Sequence, residues 1–86
     1  MIISDQILRS SNSVRANIKE ARFAQSKADF IHKLQIALKE ASETQGWVDS
    51  LKAGEYVDER GYDSLEKDID EIVKLLVSSI KKLKGL

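Results

Sequence analysis

The stretch Arg9–Trp47, RSSNSVRANIKEARFAQSKADFIHKLQIALKEASETQGW, decides the fold, because helix punctuation and an apolar repeat coincide in it. Ser26 has the character of an N-cap, and Asp29, three residues on, completes a capping-box-like arrangement. From there Phe30, Leu34, Ala37, Ala41, Thr44, Val48 and Leu51 follow a strict four-three alternation, with Ile31, Leu38 and Trp47 broadening the stripe. Gly54 is predicted to end this run as a left-handed cap. The reading is a long central helix over 26–53.

Upstream, a helix is predicted over about 5–23, starting at Ser4 or Asp5, with Ile7, Ser11, Val14, Ile18 and Ala21 at spacings of four and three. This face is thin. Ser10, Ser11 and Ser13 put small groups near the seam, which suits close approach of a neighbouring helix better than modification or catalysis. Downstream, a third helix is predicted over about 58–84, beginning at Asp58 or, if Gly61 frays the first turn, at Asp63 with Glu66 as its capping partner. Its predicted seam is Leu65, Ile69, Ile72, Leu76, Ser79 and Leu83. Adding Val73, Leu75, Val77 and Ile80 widens the apolar arc to roughly 200°, more than one partner helix covers.

The fold class is therefore all-α: an up-down antiparallel bundle of three helices in one domain, 1–86, completed by homo-oligomerisation. Small chains bury proportionally little surface, and monomers seldom leave large apolar patches in water. Absence of proline and only four glycines agree with helix throughout. Absence of cysteine excludes a disulfide framework and thiol catalysis. With no basic-then-apolar leader and no long apolar run, the expected address is cytoplasmic, away from membranes.

The wording Arg9-Ser10, Ser13-Val14, Ala16-Asn17-Ile18, Glu20-Ala21, then Ser26-Lys27, Asp29-Phe30-Ile31, Lys33-Leu34, Ile36 to Ala41 and Glu43-Thr44 resembles the four-helix-bundle proteins of the 23S rRNA intervening-sequence family. The likeness continues more weakly through Gly54-Glu55-Tyr56-Val57 and the last helix. Accessory variability proteins of diversity-generating retroelements resemble the same family and work through strongly basic barrels. The resemblance implies a non-enzymatic helical bundle assembled as a homopentamer, with a dimer or a swapped assembly as the alternatives for a chain that lacks the family's first helix. Two departures stand out. The family pattern begins with one more amphipathic helix, which nothing upstream of Ile2 supplies, and Gly46 stands where the family carries an aromatic residue before its Trp, so packing near Trp47 is expected to differ.

The chain is neutral, yet its charges are segregated. Residues 1–39 hold seven Lys/Arg against three Asp/Glu, residues 40–72 three against eleven, and residues 73–86 four against none. In an up-down-up bundle the end of the first helix, the start of the second and the end of the third share one pole. Arg15, Lys19, Arg22 and Lys27, supported by Lys81, Lys82 and Lys84, are the candidate nucleic-acid-binding residues of this basic pole, with phosphates as the ligand. The competing reading is that these charges complement helix dipoles and keep the surface soluble. On that reading the chain is a protein-interaction module or adaptor with no nucleic-acid partner, which its neutral charge favours.

Little points to bond chemistry. Asp29-x-x-His32 has the spacing of a helical ligand pair, but carboxylate-bridged metal bundles need that pair twice, and it occurs once, with Asp29 already a cap. No catalytic residue, metal or cofactor is therefore expected, and the protein is read as a non-enzyme. Hairpin counting sets Arg9 level with Glu40 or Glu43. An interhelical ion pair is expected there, with Ser13 and Asn17 bonded along the same groove as a structural polar network. Trp47 and Tyr56 suit core and rim packing better than base stacking, since they lie near the acidic pole.

Overall fold

The computed structural model describes residues 2–85, and these form three helices in chain order: α1 (Ile2–Ala21), α2 (Lys27–Ala53) and α3 (Glu59–Lys84). There is no strand among the described residues, and no described helix is long and apolar enough to cross a membrane. Both connections are short, so neighbours run antiparallel. Arg9 meets Glu43, Ser10 meets Thr44 and Glu20 meets Lys33, so α2 numbers fall as α1 numbers rise.

Local chemistry sets the boundaries. The Ser26 hydroxyl accepts from the Asp29 N–H at 3.0 Å, and an Asp29 carboxylate oxygen reaches back to the Gln25 N–H at 3.3 Å, one residue earlier than in the usual box. Asp58 caps α3, accepting from the Gly61 N–H at 2.7 Å, so of the two predicted starts the helix takes the earlier. The first helix stops at Ala21, two residues short of the prediction, which leaves Phe23 in the turn.

Gly54 is not the left-handed residue. Its φ is −83°, and the left-handed position is Glu55, at φ 59°. Gly54 is instead required for space: a Cβ there would come within 2.6 Å of the Tyr56 ring. Gly46 has neither reason. A Cβ at this exposed helix-interior position would meet nothing within 4 Å, and glycine costs a helix about 1 kcal/mol relative to alanine. Gly46→Ala is expected to raise the unfolding free energy by roughly that amount, read as a higher urea midpoint with an unchanged slope; a lower midpoint would contradict the open environment of this position.

α2 is the centre of the molecule. Leu34, Ala37, Ala41, Thr44, Val48 and Leu51 are buried along it, while α1 contributes Ser10, Val14 and Ala21, and α3 contributes Leu76 and Ile80. Helices α1 and α3 each pack on α2, and no direct packing joins them among the described residues. The molecule measures 44 × 24 × 13 Å, and three helices side by side at about 9–10 Å spacing give that width. It is a single curved layer. Its radius of gyration is 14.1 Å, against about 12 Å for a compact domain of this length. Its surface is 6030 Å², against about 5100 Å² expected from its mass.

The predicted α3 seam is corrected by this geometry. Ile69, Val73, Leu76, Val77, Ile80 and Leu83 are the buried and half-buried aliphatic residues of this helix, whereas Leu65, Ile72, Leu75 and Ser79 are exposed. The contact line keeps Ile69, Leu76 and Leu83 of the predicted seam and turns toward Val73 and Ile80, away from Leu65, Ile72 and Ser79. Above Ala41 and Thr44 the layer leaves an apolar trough of about 160 Å³, walled by Ser11 and Val14 on one side and Ile69 and Ile72 on the other.

Candidate nucleic-acid interface

The up-down-up course brings three parts of the chain to one end. There a shallow surface is lined by Ala21 and Arg22 from α1, Ala24 and Ser26 from the turn, Lys27 and Phe30 from α2, and Leu83 from α3. Arg15, Lys19 and Arg22 share one face of α1 and line a wide groove with Asn12, Ala16 and Ile18. Lys81 and Lys82 line a second groove with Val73, Lys74, Val77 and Ser78. Lys84 follows in the last turn of α3, whose end is closed by Gly85 at φ 77°.

All seven of these bases are exposed, and among the described residues none lies within 4.0 Å of a carboxylate. Lys39, Lys52, Arg60 and Lys67 likewise have no carboxylate within 4.0 Å among the described residues, so the absence of a partner does not by itself set the seven apart. Arg9, Lys33 and Lys74 are each held by an acid of the chain. The acids nearest the pole are occupied: Glu20 holds Lys33 at 3.1 Å, and Asp29 accepts from backbone. Of the seven, Arg22 and Lys27 are brought onto one surface at that end, while Arg15 and Lys19 run along α1 and Lys81 and Lys82 along α3 in separate grooves.

The opposite pole is acidic and contains a linked group between α2 and α3. The Tyr62 hydroxyl donates to Asp49 at 2.7 Å, and Lys52 lies 4.2 Å from the centre of the Tyr62 ring. That hydrogen bond, with burial and the surrounding carboxylates, pushes the Tyr62 phenol up to about 12. Glu66 has one carboxylate oxygen buried without a hydrogen-bond partner, and desolvation, then Asp49 and Asp70, raises its pKa.

A carboxyl whose folded pKa is raised stabilises the fold below its unfolded value, and that contribution is lost as pH rises through the folded value. Tyr62 follows the same sign at alkaline pH, its contribution fading between 10.0 and about 12. Glu66→Gln is therefore expected to raise Tm at pH 7 and to change it little at pH 4. Equal effects at both pH values would show that charge on Glu66 is not the cause.

Along α1 and α2, Arg9 reaches both candidate acids, with Nη1 3.6 Å from Glu40 and Nη2 3.3 Å from Glu43, while Nε donates to Gln6. Asn17 donates to the Ser13 carbonyl at 2.9 Å and lies 3.4 Å from its hydroxyl. The guanidinium is half exposed and Glu43 partly so, so water screens that pair to below about 1 kcal/mol. Glu40 is only 17% exposed, with one oxygen buried and without a hydrogen-bond partner, so Arg9→Ala, which removes its counter-charge, is expected to lower Tm. A thermal melt checks this; an unchanged Tm would mean the pair contributes nothing.

A more buried polar contact lies beside it and was not anticipated. Thr44 and Ser10 are almost fully buried, and their hydroxyl oxygens are 2.7 Å apart. Each also reaches a carbonyl of its own helix, Ile7 for Ser10 and Glu40 for Thr44. The only available signal was the run of small residues that brings α1 close to α2. Phe23, 78% exposed in the turn between Arg22 and Lys27, was also missed. Its signal was an aromatic residue at the junction of two basic helix ends. Trp47 is half-buried, and Tyr56 is exposed over Gly54. His32 is exposed, and no group of acids and histidines is placed to hold a metal ion among the described residues.

Comparison with known proteins gives three findings. The family model described as 23S rRNA-intervening sequence protein matches residues 1–78. A solved structure, a protein with unknown function from the S23 ribosomal protein family of Bacteroides thetaiotaomicron VPI-5482, superposes with a TM-score of 0.92 at 54% identity, over 94% of this chain and 72% of that one. No curated protein matches.

Proposed function

Since the chain belongs to the 23S rRNA-intervening sequence protein family, we propose that it is a non-enzymatic helical scaffold that contacts RNA through its basic pole. The observation that carries this reading is the meeting of exposed Arg22 and Lys27 on one surface with the end of α3. Further exposed bases lie along α1 (Arg15, Lys19) and α3 (Lys81, Lys82, Lys84) of a neutral chain, and none of the seven is within 4.0 Å of a carboxylate among the described residues. Family membership gives the fold, not the activity. The contacts are to phosphate, since no base-reading motif is present, so binding is sequence-indifferent.

The scaffold is a homo-oligomer, as the resemblance and the wide apolar arc of α3 both suggest, and the pentamer of similar proteins is the first assembly to test. Support for self-association comes from the open layer and from Leu65, Ile72 and Leu75, which are 41%, 39% and 68% exposed on α3. A second reading, a protein-interaction module with no nucleic-acid partner, rests on that same α3 stripe. The test is binding to a structured RNA across a salt series. Affinity that falls steeply with salt supports the RNA reading; no binding at low salt leaves the protein-interaction module.

A further inference from the structure

Phe23 does not belong to the core. α1 ends at Ala21, and the turn carries the ring outward, where it is 78% exposed, the most exposed of the large apolar side chains in the described residues. It is framed in sequence by Arg22 and Lys27, and both bases line the surface at the meeting of the three helices. Neither base is drawn off by an acid among the described residues. An aromatic face in a field of positive charge matches one chemistry closely: a flat nucleobase with a phosphate on either side.

We propose that Phe23 is a stacking platform for an unpaired RNA nucleotide, with Arg22 and Lys27 holding the flanking phosphates. This rests on the RNA reading above and narrows it to single-stranded segments, loops or ends. Duplex RNA keeps its bases stacked inside, offers only its backbone to this pole, and gains nothing from the ring. A second copy of the chain is the competing occupant of an exposed ring, but a basic pole facing its own copy meets like charge.

The experiment compares wild type, Phe23→Ala, Phe23→Trp and Arg22→Glu/Lys27→Glu with two labelled probes at low salt: a twelve-nucleotide oligouridylate and a blunt RNA duplex of matched charge. Phe23 is exposed in a turn, so its variants are expected to fold, checked by circular dichroism. Phe23→Ala is expected to weaken the single strand roughly tenfold while leaving the duplex and both salt slopes unchanged. Phe23→Trp restores single-strand binding, and the double reversal weakens both probes. Equal loss of both probes in Phe23→Ala, or no loss of either, overturns the stacking role while leaving RNA contact intact. If neither probe binds wild type at low salt, the RNA reading fails and the stacking role falls with it.

Discussion

Leu34→Ala is expected to bring this protein close to unfolding at ordinary temperatures. Leu34 is 6% exposed on α2, in one cluster with Val14 and Ala21 of α1 and Leu76 and Ile80 of α3. Truncating a buried leucine costs about 2–5 kcal/mol through lost transfer energy and the cavity left behind. The total available to a chain of this length is about 4–13 kcal/mol, and the open layer, with excess surface for its mass, belongs at the lower end. At about 4–8 °C per kcal/mol, Tm should fall by roughly 8–40 °C. The architecture sharpens the effect. Because α1 and α3 each depend on α2, a hole at Leu34 loosens both outer helices at once. Leu75→Ala is the matched control: at 68% exposure it removes little buried area in one chain. A fall in Tm as large as that of Leu34→Ala would mean that Leu75 is buried in an assembly.

The contrast between those two leucines shows what was legible in the sequence. On α2 the apolar stripe is no wider than its two partners need, so the four-three alternation from Phe30 to Leu51 identified the inward positions residue by residue. On α3 the arc is wider than its single partner covers. Periodicity located the apolar side and half of the contact line, Ile69, Leu76 and Leu83, whereas Leu65, Ile72 and Ser79 of the predicted seam are exposed and Val73 and Ile80 pack in their place. Caps were readable where a side chain makes the contact, at Ser26 and Asp58. The end of α2 was not, because the left-handed position falls on Glu55 and not on Gly54, and a non-glycine in that conformation carries no signal of its own. The meeting of Arg22, Lys27 and the end of α3 on one surface needed only charge order and helix direction. The exposure of Phe23 needed the exact end of α1, and boundaries are what sequence patterns fix least well.

Reversing Arg15, Lys19 and Arg22 to glutamate should abolish RNA binding in a way that solubility charges would not. If each base neutralises a phosphate, each lost contact makes the dependence of log K on log salt shallower by about 0.7–0.9, so the triple variant should lose roughly 2–3 units of slope. At low salt its affinity should fall on the order of a hundredfold or more. The reversal also places acids in place of Lys19, in the last turn of α1, and of Arg22 just beyond it, where the helix dipole disfavours a negative charge by about 0.3–1 kcal/mol. A lower Tm is thus expected and does not bear on binding. The triple glutamine variant separates the two effects. It removes the phosphate contacts without adding repulsion, so it should show the same loss of slope with a smaller loss of affinity. All three side chains are exposed on one face of α1, so neither variant empties a core position. An unchanged slope in the glutamine variant would mean that these bases meet no phosphate, and that their place at the end of α1 reflects the helix dipole alone.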